Sequence, residues 1–339
     1  SPAILALPAG FHTMTTKIWS LFQYPPKPEL AAAATLPLLL LTVLLLRAEH
    51  MILGRRAYAV LGGKQGDPRL VRLGAWTWAA LAGVFTLLLF PVFLPYGALL
   101  NAVFSPVATL FVTPTNFTLH NIEFVLFELS ATKLAAQNTF VLGILSATIG
   151  TLIALVIGYV TARKAVAGHR ALAFLATAPV AIPGIVLGVA LFLTYARPPF
   201  VLYGTLWILL IAFVTIALPA AYQQMQSAFR SVHADLEDAG RILGATRLRA
   251  LRDITAPLLR TSVIATWCFI FVGVMRELSA AIMLFTSETK TVSVLIFDLN
   301  ESGDLGAIAV LGLAMLIITF AVVAAVNRIP GFGDARLRV

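Results

Sequence analysis

QNTFVLGILSATIGTLIALVIGYVTA, residues 137–162, runs for 26 residues without one Asp, Glu, Lys or Arg. At about 1.5 Å per helical residue, such a run crosses the roughly 30 Å hydrocarbon core of a bilayer. Six further apolar runs lie outward from it, at 30–46, 77–99, 171–194, 202–222, 258–285 and 304–326, the first being the shortest. Composition agrees, at 60% hydrophobic and 12% charged residues, where a soluble domain carries about 45–50% and about 25%. That excess of apolar surface requires lipid. It predicts an all-α membrane protein, a polytopic helical bundle with about seven transmembrane helices in this chain. The single cysteine, Cys268, lies inside one of these runs, which excludes an intrachain disulfide and a cysteine metal cluster and leaves it a packing role.

The net charge of +9 does not point to nucleic acid, because the basic residues are not gathered on a soluble face but lie in the loops between apolar runs. Segments 47–74, 163–170, 223–260 and the tail from 327 hold 18 Lys and Arg, whereas the opposite side holds five, Lys17, Lys27, Lys133, Arg197 and Lys290. The positive-inside rule therefore places the tail in the cytoplasm. With seven runs between them, the first residue falls outside, and the opening SPAILALPAG has neither Met nor the basic start of a signal peptide. Upstream sequence is expected.

A repeat points the same way. ILALPAGFHTMTTKIWSLF, leading into the first run, resembles IMLFTSETKTVSVLIFDL, leading into the last. Residues 1–46 then read as the end of an upstream repeat with its last helix, 47–74 as a cytoplasmic linker, 75–329 as a six-helix domain and 330–339 as a cytoplasmic tail. The longest outer segment, 100–136, holds Pro106, Pro114, Asn116 and Asn121 and reads as loop with a short helix. In PVAIPG, Pro179 and Pro183 fall mid-run, where each removes a backbone hydrogen bond and kinks the helix.

The most informative loop is YQQMQSAFRSVHADLEDAGRILGATRLRALRDITAPLLR, residues 222–260. Asp235, Glu237 and Asp238 open a helical stretch, favourable beside the positive end of the helix dipole, and Gly244 closes it. A basic helix from about Arg247 runs to Pro257. A short surface helix, joined by a glycine corner to the next span, is predicted within 223–257.

Here the chain resembles the permeases of binding-protein-dependent ATP-driven importers, the type I, MetI-like membrane domains. Their loop motif is EAA, three residues, G, nine residues, I, one residue, LP. Asp238, Ala239 and Gly240 occupy the EAA positions, Gly244 the glycine, Ile254 the isoleucine, and Ala256 and Pro257 the LP. The departures are Asp for Glu, Gly for Ala and Ala for Leu, and Glu237 adds an acid just before. Gly240 lowers helix propensity by up to about 1 kcal/mol relative to Ala. PVAIPGIVLG and RELSAAIMLFTSETKTVSVLIFDL are similar to the iron(III) branch, in which two six-span halves are often fused, and GGKQG in the linker fits it too; thiamine, polyamine, sulfate and phosphonate permeases share parts of these signatures.

The resemblance implies a permease of the bacterial inner membrane that moves solute from periplasm to cytoplasm by alternating access. Two ATPase subunits would dock on the loop helix and bind ATP and Mg themselves, a periplasmic solute-binding protein would deliver solute, and a second permease half would lie upstream. Small Ala239 and Gly240 would allow close approach to the ATPase, and the acids would meet its basic residues. No GxxxxGK[ST] loop occurs here, so hydrolysis is expected in the partner and no cofactor in this chain. His12, His50, His120, His169 and His233 are scattered and form no ligand cluster. Arg276 and Glu277, near the end of the sixth run, read either as a gate or docking pair or as charges snorkelling to the interface. Asn138, Tyr159, Thr194 and Thr215 read either as path-lining groups or as interhelical hydrogen-bond partners. An ion-coupled secondary transporter is the alternative of another class; it expects paired intramembrane acids, which the runs lack.

Overall fold

The computed structural model describes residues 13–21, 27–53, 74, 76–108 and 110–328. Most of the linker and all of the tail read above lie outside these residues. Among the described residues every regular element is helical. Two helices come first, α1 (Met14–Ser20) and α2 (Pro28–Leu53). Then follow α3 (Trp76–Phe104), α4 (His120–Glu123, prolonged by a π-turn over Phe124–Glu128) and α5 (Ser130–Ala162). Next are α6 (His169–Thr177), α7 (Gly184–Tyr195), α8 (Leu206–Ser231), α9 (Ala234–Ile242) and α10 (Arg247–Met275). The chain closes with α11 (Ala281–Leu284), α12 (Val292–Ser302) and α13 (Leu305–Asn327).

Each of the seven apolar runs is helical, but not all are single full-length spans. Five helices, α3, α5, α8, α10 and α13, are long and apolar enough to cross a membrane, and the apolar part of α2, Glu29–Leu45, is shorter. The fourth run does more than kink. It breaks by 106° between His169–Ala181 and Gly184–Tyr195. Pro179 opens a 3-10 turn over Ala178–Ala181, and Pro183 caps α7 at φ −56°, ψ 141°, an extended conformation that no helix interior accepts. The sixth run leaves its long helix at Met275 rather than 285, and the residues beyond it form turns and the short α11.

Helix α5 is the centre of the bundle and packs along α8 and α10. Its glycines let those helices close in: a Cβ on Gly143 would lie 2.9 Å from Phe271, on Gly150 3.1 Å from Ile270, and on Gly158 3.1 Å from Met225. Small residues in this role are the usual device of helix packing in lipid, where burial alone gives no drive to associate. The two stretches similar to iron(III) permeases meet in the same way, since Gly184 and Gly188 of α7 face Ser279 and Met283, each within 3.0 Å of a built Cβ. Beyond the 105–119 loop, Asn121 of α4 donates to the carbonyls of Ala102, Val103 and Ser105, satisfying the end of α3.

The two stretches read as a repeat carry the same local device. Thr13 and Thr16 form a reciprocal cap at the start of α1, and Thr286 and Thr289 form one over Ser287–Thr289. They also touch, with the Trp19 ring edge-on to Phe297 at 5.2 Å.

Candidate functional site

Helix α8 runs on past its apolar stretch to Ser231, turns at Val232, and the chain re-enters helix at Ala234. Asp235 and Glu237 lie in the first turn of α9, where the dipole favours acids. Gly244, at φ +92°, ends the helix. The Ala245 N–H donates to the Gly240 carbonyl at 3.1 Å and the Gly244 N–H to that of Arg241 at 3.0 Å, a Schellman cap whose left-handed position suits glycine. Thr246 then caps α10, its hydroxyl accepting from the Arg249 N–H at 3.3 Å.

The helix forms despite Gly240, and the packing gives the reason for the missing methyl: a Cβ there would lie 2.7 Å from Ile254 Cδ1. The close approach expected toward a partner at this position is made inside the loop, between two motif residues. Glu237 also differs from expectation. It is buried at 8% exposure, and its Oε1 accepts from Arg163 Nε at 3.0 Å, Arg163 Nη2 at 2.9 Å and the Thr255 hydroxyl at 2.9 Å. Arg163 Nη2 donates as well to the Val232 carbonyl at 3.0 Å. One carboxylate thus joins the ends of α5 and α8, the short α9 and the start of α10, and it faces inward. Asp238 is exposed and pairs with Arg241 at 3.2 Å; Ala239 is exposed. Pro257 sits in the first turn after the π-turn Leu251–Thr255, where its missing N–H costs little.

What the loop presents to its surroundings is apolar. Ile242 is 85% exposed, Leu243 89% and Leu248 75%, all at the glycine corner. They form a bare apolar knuckle among charged residues. The sequence reading missed these residues because Ile and Leu at a helix end look like core, and it missed Arg163 and Thr255 because contacts across 74 and 18 residues leave no local signal.

Arg276 and Glu277 part from each other. Arg276 is exposed in a crevice of about 360 Å³ lined also by Tyr96, Leu99, Met315 and Thr319. Glu277 folds back, its Oε1 accepting from the N–H groups of Ser279 at 2.8 Å and Ala280 at 3.2 Å. The four polar candidates have local partners: Asn138 donates to the Glu288 and Lys290 carbonyls, Thr194 and Thr215 donate to their own helices, and the Tyr159 ring packs edge-on to Phe229. An open groove of about 410 Å³ lies between α8 and α10, lined by Gln224, Ser227, Ser231, Ser262 and Thr266 together with Ala228 and Ala265. A smaller one of about 160 Å³ adjoins the same two helices, with Phe213, Ile216, Ile270 and Glu277 in its walls. Among the described residues no three His, Cys, Asp or Glu side chains gather as metal ligands.

The fold is similar to that of a chain from a bacterial alginate ABC transporter, solved in complex with an alginate-pentasaccharide-bound periplasmic protein, at TM-score 0.60 over 76% of this chain and 94% of its own and at 16% identity. Residues 150–339 match the binding-protein-dependent transport system inner membrane components, and the chain belongs to that family. The ferric transport system permease protein FbpB of Actinobacillus pleuropneumoniae is 26% identical over 98% of this chain and 48% of its own length. A Salmonella typhi permease named for 2-aminoethylphosphonate transport, PhnV, is 28% identical over 44% of this chain and 57% of its own. The chain spans about half the length of these relatives.

Proposed function

We propose that this chain is the second half of a permease that imports ferric ion across the inner membrane, driven by ATP hydrolysis in separate ATPase subunits that bind the ATP and Mg. The observation that carries the reading is the knuckle at Ile242 and Leu243, left bare beside a helix that Glu237 and Gly240 hold firmly to the bundle. A surface built to be rigid from within and uncovered from without is suited to a protein partner. The motif spacing Asp238–Gly244–Ile254–Pro257 supports the ATPase as that partner. The loop and the C-terminus then lie in the cytoplasm, in keeping with the excess of Lys and Arg on that side.

ATP binding does work on the permease only through different affinities for its inward- and outward-facing states. The seam between α8 and α10, with the hydroxyl and amide groups of its groove, is the stretch of this half suited to line the path. A periplasmic binding protein supplies the solute, and the first half ends in α1 and α2. Iron is favoured because similarity to the ferric permease runs the length of this chain, whereas that to the phosphonate permease covers under half of it.

The test is a photo-crosslinking residue at position 243 of the full-length protein in its native membrane, followed by uptake in proteoliposomes with the co-purified binding protein. An adduct with an ATPase subunit and uptake of ferric ion are expected. Phosphonate uptake would remove iron and keep the importer. Absence of any ATPase adduct, with uptake driven by an ion gradient, would replace the reading with a secondary transporter.

A further inference from the structure

Among the described side chains of α9, Glu237 alone is buried; Asp235, Leu236, Asp238, Ala239, Arg241 and Ile242 are exposed. Two contacts of this nine-residue helix with its neighbours differ in kind. One is the contact of Gly240 with Ile254, which is steric and resists only compression. The other is the carboxylate of Glu237, whose Oε1 takes three hydrogen bonds, two of them from the guanidinium of Arg163 at 2.9–3.0 Å. Arg163 caps the end of α5, the helix around which the bundle is packed. The same guanidinium holds the Val232 carbonyl, and so the end of α8.

Stability alone is a poor reason for such a pair. Taking two charges out of water costs about as much as their attraction returns, and apolar residues of similar volume usually hold a structure equally well. What apolar contacts lack is direction. A fork of charge-assisted hydrogen bonds fixes distance and orientation, and it pulls as well as pushes.

We propose that Arg163 is a positioning residue for energy coupling: through Glu237 it makes α9 move together with the inner ends of α5 and α8, so that displacement of α9 is passed to the bundle. The proposal rests on the reading of α9 as the ATPase contact. Glu237 then acts as an internal latch rather than as a partner for basic residues of the ATPase, and the exposed corner makes the contact.

The experiment uses the full-length transporter with its ATPase and binding protein in proteoliposomes. Two quantities are read: the crosslinking yield from position 243, which reports docking, and solute moved per ATP hydrolysed, which reports coupling. For Arg163→Gln the crosslinking yield is expected to stay within about twofold of wild type while solute per ATP falls roughly 5- to 150-fold, the usual span of coupling between sites. Arg163→Lys, which keeps the charge and loses the fork, falls between. Because Arg163→Gln leaves a buried carboxylate without its cation, the double variant Arg163→Met/Glu237→Leu removes the pair without stranding a charge; it is expected to fold, dock and remain uncoupled. The exchange Arg163→Glu/Glu237→Arg is expected to recover part of the ratio. Coupling at the wild-type ratio in the apolar double variant would overturn the proposal, as would equal loss of docking and transport in all four variants. No ATPase adduct in the wild type would instead remove the reading of α9, and the latch with it.

Discussion

Replacing Ile242 and Leu243 together by serine tests the knuckle most directly. At 85% and 89% exposure both side chains have nearly their whole surface available to a partner. Full burial of an Ile or Leu is worth about 1.5–3 kcal/mol, so the pair offers roughly 3–6 kcal/mol before any cost of association. Area at protein interfaces converts to affinity incompletely, and central residues commonly cost about 2 kcal/mol or more when truncated. A net loss of about 2–4 kcal/mol follows, or roughly 30- to 700-fold in Kd at 1.4 kcal/mol per tenfold. The free permease should hardly notice, because the cap at this corner is made by backbone groups and substitutions of exposed side chains usually stay within about 0.5 kcal/mol. Titration of labelled ATPase onto permease in nanodiscs gives the affinity, and a thermal melt of the permease alone gives the control. A change in Kd under about threefold would refute the reasoning, since it is far below the interface loss worked out above. A clear fall in the melting temperature would refute it differently, by showing that the corner is packed in the native bundle.

Gly240→Val should force α9 away from Ile254, costing about 1–3 kcal/mol as overpacking does and lowering transport, and Ile254→Ala in the same chain should restore much of both. Gly244→Ala should cost about 1–2 kcal/mol at its φ of +92°, seen as faster hydrogen exchange confined to α9. Asn138→Leu strands the Glu288 and Lys290 carbonyls that the amide now satisfies, and should lower stability by about 1–3 kcal/mol per lost partner in a thermal melt. Burial and then the Asp298 charge raise the Glu301 carboxyl above its ordinary range. The folded state therefore binds that proton more tightly than the unfolded chain, and stability falls as pH rises from the ordinary carboxylate range through the raised value. Glu301→Gln should flatten that part of the stability–pH curve.

How far the fold could be read in advance depended on which solvent set the rule. Lipid demands long uncharged helices, and so the seven runs stood out. It says nothing about where a helix stops inside them. The run 258–285 continues beyond Met275 in residues that turn against Gly184 and Gly188, a demand made by a neighbour rather than by the membrane. Pro179 and Pro183 announced a disturbance; their spacing did not fix its size, because a 3-10 turn followed by an extended proline gives a corner where one proline in helix gives a bend. In the loop, Gly244 was legible since a left-handed cap has a residue signature. The direction of Glu237 was not, since its cation comes from Arg163 in another helix.

The motif itself divides into two kinds of position. Gly240 and Ile254 lean on each other, Gly244 sets the exit from α9, and Pro257 lies where α10 resumes regular helix after a π-turn. These residues hold the shape of the loop, and of them Gly240 and Ile254 are only partly exposed. Ile242, Leu243 and Leu248 fall at its unspecified positions and provide the exposed apolar area. A loop organised in this way can keep one geometry while its contact chemistry changes, because altering Ile242, Leu243 or Leu248, unlike Thr246 or Thr255, leaves the corner and the latch untouched. Under the proposed coupling, the fixed residues transmit motion and the intervening ones choose the partner. Moving the intervening residues of this loop into a related permease should therefore transfer preference for the ATPase without altering solute moved per ATP, whereas moving Gly240 without Ile254 should do the reverse.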